Sequence, residues 1–169
     1  AVGVAAADFN GDGVLDMASI DLATSVNVSL NNGNGTFYSR RAFDVGSTPK
    51  HLVSGDFNGD GKNDLAVTAY GSNTVNILLG NGNGTFLAKA DISVTGPDEI
   101  LSGDVNGDGR SDLILTTLAS PTATVLLGNG NGTFAVPTGY TAGVSPRSAT
   151  LGDFNRDGYT DIVVSELGP

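Results

Sequence analysis

Asp8-Phe9-Asn10-Gly11-Asp12-Gly13-Val14-Leu15-Asp16 is a nine-residue stretch that returns three more times, at residues 56–64, 104–112 and 153–161. Each copy reads D-x-N-x-D-G-x-x-D, so oxygen-bearing side chains stand at positions 1, 3, 5 and 9. The first aspartates are spaced by 48, 48 and 49 residues. A period of that size marks an array of repeated structural units.

Crowding three carboxylates into so short a loop is unfavourable without a counter-charge. At separations of roughly 4–5 Å each pair repels by about 3–4 kcal/mol at an effective dielectric near 20. No basic residue stands at one position in all four loops to offset this, whereas a divalent cation reverses its sign. Carboxylate, amide and carbonyl oxygens without His or Cys suit calcium or magnesium and argue against zinc or copper. A flexible loop offering about six oxygens fits calcium better than magnesium, which holds a tight octahedron and keeps its waters.

The expected ligands are Asp8, Asn10, Asp12, the carbonyl of Val14 and Asp16 in the first loop. The second uses Asp56, Asn58, Asp60, the carbonyl of Lys62 and Asp64; the third Asp104, Asn106, Asp108, the carbonyl of Arg110 and Asp112. Asp153, Asn155, Asp157, the carbonyl of Tyr159 and Asp161 complete the set, giving about four calcium ions, one per repeat. Variation at position 7 is what a backbone ligand permits. An EF-hand would need a bidentate Glu at position 12, where this chain has Ser19, Val67, Leu115 and Val164. Simple turn formation by N-G and D-G pairs accounts for one copy better than for four with the same four oxygens.

The acidity of the chain is local. Its 169 residues carry a net charge of −10, and discounting the twelve loop aspartates turns that into +2. Four bound dications would leave −2. An acidic chain without a basic stripe excludes nucleic acid as a partner, and no apolar run approaches the length of a membrane span, so no membrane insertion is expected. There is no Cys, hence no disulfide framework. Dependence on calcium leans towards an extracellular setting, where weak sites fill. Ala1 is neither an initiator Met nor the start of a signal peptide; a mature product or an excised piece is expected.

Each loop lies between two short apolar runs, at 1–7 and 17–20, 50–55 and 65–69, 99–103 and 113–117, and 148–152 and 162–165. They are too short for helices and are bounded by turn residues, so they read as strands. A third run alternates in period two: Val26, Val28, Leu30; Val75, Ile77, Leu79; Val125, Leu127. It leads into a second turn, N-G-N-G-T-F, ending at Phe37, Phe86 and Phe134. A variable fourth strand is expected from each Phe, stopped by Pro49, Pro97 or Pro146. Four short antiparallel strands per unit are the arithmetic of a propeller blade.

The D-F-N-G-D-G-x-x-D loop and the L-G-N-G-N-G-T-F turn resemble FG-GAP or VCBS repeats, the blades of integrin α-subunit-like β-propellers. The resemblance covers essentially the whole chain. It implies calcium in the loop joining the first two strands of each blade, a secreted or cell-surface location, and roles in adhesion, scaffolding or carbohydrate contact. Two departures stand out: Asn in place of the commoner Asp at position 3, and Arg156 in place of Gly at position 4 of the last loop.

The expected fold is therefore all-β: four-stranded antiparallel propeller-type blades, three complete units and the first two strands of a fourth. As one repeat domain, 1–169, it divides into units at about 1–48, 49–96, 97–145 and 146–169. A closed propeller needs about four to eight blades, so the partners expected are further blades of the same protein or copies of itself. An open filament is the alternative assembly.

No catalytic constellation emerges. His51 is the only histidine and reads as structural, and the surplus acids show no repeated relation. A non-catalytic structural or adhesive module follows, with a protein or glycan surface ligand; a carbohydrate-binding accessory domain of a secreted enzyme is the other alternative. Tyr38, Tyr70, Tyr140 and Tyr159 are candidate sugar platforms at non-equivalent positions, and Asn27, Asn34, Asn83 and Asn131 head glycosylation sequons.

Overall fold

The computed structural model describes residues 3–21, 23–38, 40–88 and 91–167. Ala1 and Val2 of the first expected run, and Pro169, lie outside them. Among the described residues fifteen strands form four antiparallel sheets in chain order. The first sheet is β1 (Val4–Ala7), β2 (Asp16–Ile20), β3 (Ser25–Ser29) and β4 (Arg41–Asp44). The second is β5 (Pro49–Gly55), β6 (Asp64–Ala69), β7 (Thr74–Gly80) and β8 (Phe86–Ala88), with the short β9 (Ile92–Ser93) also on β7. The third is β10 (Pro97–Gly103), β11 (Asp112–Thr117), β12 (Thr122–Leu126) and β13 (Thr138–Thr141). The fourth pairs β14 (Pro146–Gly152) with β15 (Asp161–Glu166). Among the described residues no sheet closes on itself.

Three expectations are corrected. The prolines do not stop pairing. Pro49, Pro97 and Pro146 open β5, β10 and β14, opposite Ala69, Thr117 and Glu166, and a register shift follows at once. A strand's first residue is where proline's missing N–H costs no ladder bond. The fourth strand starts at the Phe only in the second unit; Phe37 and Phe134 make single bridges to Asn31 and Gly128, and pairing resumes at Arg41 and Thr138. Finally, Asn27 is buried in β3, so its sequon is closed in the folded chain.

Alternation along each strand gives every sheet two faces. Ala18, Ile20, Val26 and Val28 of the first sheet pack against Leu52, Leu65, Val67 and Leu78 of the second. The other face of the second, with Ala66, Val75, Ile77 and Leu79, packs against Ile100, Leu113, Leu115 and Leu126 of the third. The core is thus a pair of sandwiched layers between successive sheets, not one central cluster. The first sheet's remaining face carries Met17, Ser19, Asn27 and Ser29 where the second presents Leu65, Val67, Asn76 and Leu78.

Candidate metal loops and the joints between sheets

Each D-x-N-x-D-G-x-x-D loop connects the first two strands of its sheet. The position-1 carboxylate sits at the centre of the loop's own backbone. Asp8 accepts N–H bonds from Gly11 at 2.7 Å and Gly13 at 2.8 Å, and longer ones from Asn10 and Asp12. Asp56 and Asp104 repeat the pair with Gly59 and Gly61, and Gly107 and Gly109. Wrapping the chain this way needs left-handed backbone at positions 4 and 6, and the glycines there have φ of +76 to +86°. In the last loop Arg156 takes φ 65° at position 4, and Asp153 receives bonds from Asp157 and Gly158. Backbone N–H donors, Gly13 and Gly109 first, hold the Asp8 and Asp104 carboxyls below the usual carboxylate range.

Position 9 is the first residue of the second strand and a buried anchor. Asp16, Asp64 and Asp112 are 0–1% exposed. Asp64 accepts from Phe57 N–H at 2.8 Å and from Gly80 N–H at 2.7 Å, the latter at the end of β7. Asp16 does so with Phe9 and Asn31, and Asp112 with Val105 and Gly128. One carboxylate therefore ties the loop to both strands that follow it. Burial, set against those N–H bonds, pushes the Asp64 carboxyl up, and the neighbouring Asp60 and Asp56 add to the rise.

Position 5 is exposed, and position 3 is half-buried in the first two loops and exposed in the last two. Asn10 Oδ1 accepts from Asp12 N–H at 2.9 Å, and its amide donates to Asp12 Oδ2 at 2.9 Å. At position 7 the backbone N–H groups of Val14, Lys62, Arg110 and Tyr159 each donate to the position-5 carboxylate. Lys62 also reaches Asp60 at 3.3 Å and Arg110 reaches Asp108 at 3.9 Å. Among the described residues, no three carboxylate or imidazole groups converge to hold an ion; each loop carboxylate is turned onto backbone N–H groups instead. The donor set nevertheless fits calcium. All donors are hard oxygens, a carboxylate has about four lone-pair sites, and two N–H bonds leave Asp16, Asp64 and Asp112 with acceptor capacity to spare.

A second element, unmarked by charge, meets these loops. The carbonyl of Phe9, at position 2, accepts from Gly84 N–H of the next sheet's N-G-N-G-T-F turn at 2.9 Å, and its ring lies edge-on to Phe86 at 5.5 Å. Phe57 repeats this with Gly132 at 2.9 Å and Phe134 at 5.9 Å. Asn63 adds a bond to the Asp8 carbonyl at 2.9 Å. The loops and the second turns are thus the two halves of one joint. The repeated F at position 2 was its only signal in the sequence.

His51 lies in β5 with Nδ1 3.1 Å from the Asp98 carbonyl, a contact between sheets. Exposed Asn34, Asn83 and Asn131 bond their own turn threonines.

A family profile described as an FG-GAP-like repeat matches residues 8–67, 56–115 and 104–164. Each match begins at the first aspartate of a loop and ends within the second strand of the next unit, so it holds two successive loops and the turn between them. No curated protein matches the chain. Among solved structures, one concerning specific recognition of non-reducing terminal N-acetylglucosamine by an Agrocybe aegerita lectin is similar over 83% of this chain, at 24% identity and a TM-score of 0.59. The match spans 38% of that lectin's length, and it shows a shared fold.

Proposed function

The chain belongs to the FG-GAP-like repeat family, a family of non-catalytic repeats, and from that premise we propose a calcium-stabilised structural and adhesive module of a secreted or cell-surface protein. Further sheets of the same kind, or copies of the chain, would complete it as a β-propeller. The observation that carries this reading is the fourfold loop. In three copies two left-handed glycines wrap the backbone round one carboxylate while a buried one anchors the far end. In each loop the side chains at positions 1, 3, 5 and 9 would hold the ion, Asp8, Asn10, Asp12 and Asp16 in the first. The position-7 carbonyls of Val14, Lys62, Arg110 and Tyr159 would join them.

A bound dication neutralises the loop's acidic charge. The protein's part is to present the oxygens on a loop already folded by Asp8 and its equivalents. It also passes the resulting order, through Asp16, Asp64 and Asp112, to the second and third strands. Calorimetric titration of the chelated chain tests this: saturable binding of about four calcium ions is expected, and heats no larger than dilution would contradict it.

A glycan partner is the second reading, prompted by the lectin whose fold the chain shares in part. Retention on an array of N-acetylglucosamine-terminated glycans is its test, and a blank array removes it. Filament assembly, the remaining alternative, predicts large particles by light scattering.

A further inference from the structure

The dipeptide Asn-Gly occurs nine times in this chain, three times in the metal loops and six times in the N-G-N-G-T-F turns. An asparagine followed by glycine is open to ring closure. The glycine nitrogen attacks the side-chain carbonyl carbon of the asparagine and its proton passes to solvent. The bond to the side-chain nitrogen breaks and ammonia departs, leaving a succinimide, which water opens to an aspartyl or an isoaspartyl residue. Glycine allows the approach because no Cβ stands in the way. The attacking N–H must not already be donated elsewhere.

The fold sorts the nine dipeptides by that requirement. In the loops Gly11, Gly59 and Gly107 each donate to the position-1 carboxylate at 2.7 Å. In the turns Gly84 and Gly132 donate across the joints to the Phe9 and Phe57 carbonyls at 2.9 Å, and Gly33 donates to Asn31 Oδ1 at 2.9 Å. Gly82 and Gly130 differ: among the described residues their N–H groups meet no acceptor, and Asn81 and Asn129 before them are exposed. The amides of Asn81 and Asn129 donate to Thr85 and Thr133 Oγ1 at 2.9 Å, which engages the leaving nitrogen and not the attacking one. Gly35 holds the place that Gly84 and Gly132 take in the joints, so Asn34 is set aside. A second feature singles out the same two glycines. The side chain at loop position 7 lies over them: a Cβ on Gly130 would stand 3.1 Å from Arg110 Nε, and one on Gly82 2.9 Å from Lys62 Cδ, where Gly33 meets Val14 at 3.9 Å. A cation in that place favours the negative charge that builds on the attacking nitrogen and on the carbonyl oxygen.

We propose that Asn81 and Asn129 are the deamidation sites of the folded chain, and that the same dipeptide is kept intact by the position-1 aspartates in the loops and by the phenylalanine carbonyls in the joints. An isoaspartyl residue at either site lengthens the turn by one backbone atom, three residues before the glycine that bonds the preceding sheet. The joint therefore loosens as the chain ages. At Asn10, Asn58 and Asn106 the protection preserves an amide at position 3. The inference goes beyond the repeat reading and does not depend on the cation.

The test is peptide mapping by mass spectrometry after incubation at neutral pH, with the chain folded and, in parallel, unfolded in concentrated urea. In urea all nine dipeptides should convert at similar rates. In the folded chain Asn81 and Asn129 are expected to convert about tenfold or more faster than Asn10, Asn32, Asn58, Asn83, Asn106 and Asn131, because the others must first break a glycine N–H bond. The converted chain should lose exchange protection at the Gly84 and Gly132 N–H groups. Arg110→Met keeps a stem over Gly130, and its fold is checked by an unchanged melt; it should slow Asn129 and leave Asn81 as it was. Loop asparagines that convert as fast as Asn81 and Asn129, or all nine slowed alike by folding, overturn the proposal. An unchanged Asn129 rate in Arg110→Met overturns the arginine's part in it.

Discussion

Asp64 concentrates the chemistry of the repeat in one side chain. It is buried, it carries two backbone N–H bonds, and no cationic side chain pairs with it among the described residues. Asp64→Asn replaces one acceptor by an NH₂ that meets an N–H donor, leaving a buried pair unsatisfied. A loss of about 2–3 kcal/mol is expected by urea unfolding. At the last loop the sign reverses. Arg156 holds φ 65° where the other loops have glycine, and left-handed backbone costs a side-chain-bearing residue about 1–2 kcal/mol. Arg156→Gly, after the entropy glycine adds to the unfolded chain, should stabilise by about 0.5–1 kcal/mol in the same assay.

Asp21 supplies the pH dependence at this scale. Ser25 Oγ–H and the N–H groups of Ser25, Ala23 and Thr24 hold its carboxyl down to about 2, from 3.8. A depressed pKa gives stability that is complete above the unfolded value and lost as pH falls through the folded one. The difference in urea midpoint between the parent and Asp21→Asn should therefore hold above about pH 4 and shrink towards pH 2. A difference that grows on acidification would contradict the assignment. The loop oxygens were legible in the sequence because their chemistry repeats. That position 9 also caps a strand end 15 or 16 residues away was not, since a single chain does not display which N–H an aspartate meets.

Elements take their limits from these residues. All four second strands begin at the position-9 aspartate, one residue before the apolar run that announced them. The strands beside the loops were readable because alternation and turn residues agree there. The fourth strand was not, because Arg41–Asp44 and Thr138–Thr141 are edge strands that need no apolar face. Gly80 and Gly128 end or follow the third strands where a Cβ would stand 2.2 Å from the Asn63 or Ser111 carbonyl. Unit one has Asn31 there and bonds the Leu15 carbonyl through its side chain instead. Between sheets, Phe9 is the wedge, 1% exposed against Phe86, which in turn contacts Phe43. Phe9→Ala should cost about 3–5 kcal/mol and, because the joint is an element-level contact, raise amide exchange in residues 81–86 as well as in its own loop. Exchange confined to the loop would count against the joint.

At the scale of the whole molecule, stability is a sum of like sheets and the interfaces between neighbours. The number of sheets and their order followed from the period; the polarity of the first face is written in the same sequence but acquires meaning only once the register shows which side of β3 each residue takes. The charge of −10 is likewise a sum of four local concentrations, so one ion per loop would change the stability of every sheet.

That claim is tested most directly by thermal unfolding of the chelated chain as calcium is returned. Each site that binds only the folded state adds about 2.7 kcal/mol at 100 times its dissociation constant, so the melting temperature should climb steeply and saturate, and chelator should reverse the climb. A melting curve identical with and without calcium would contradict the account.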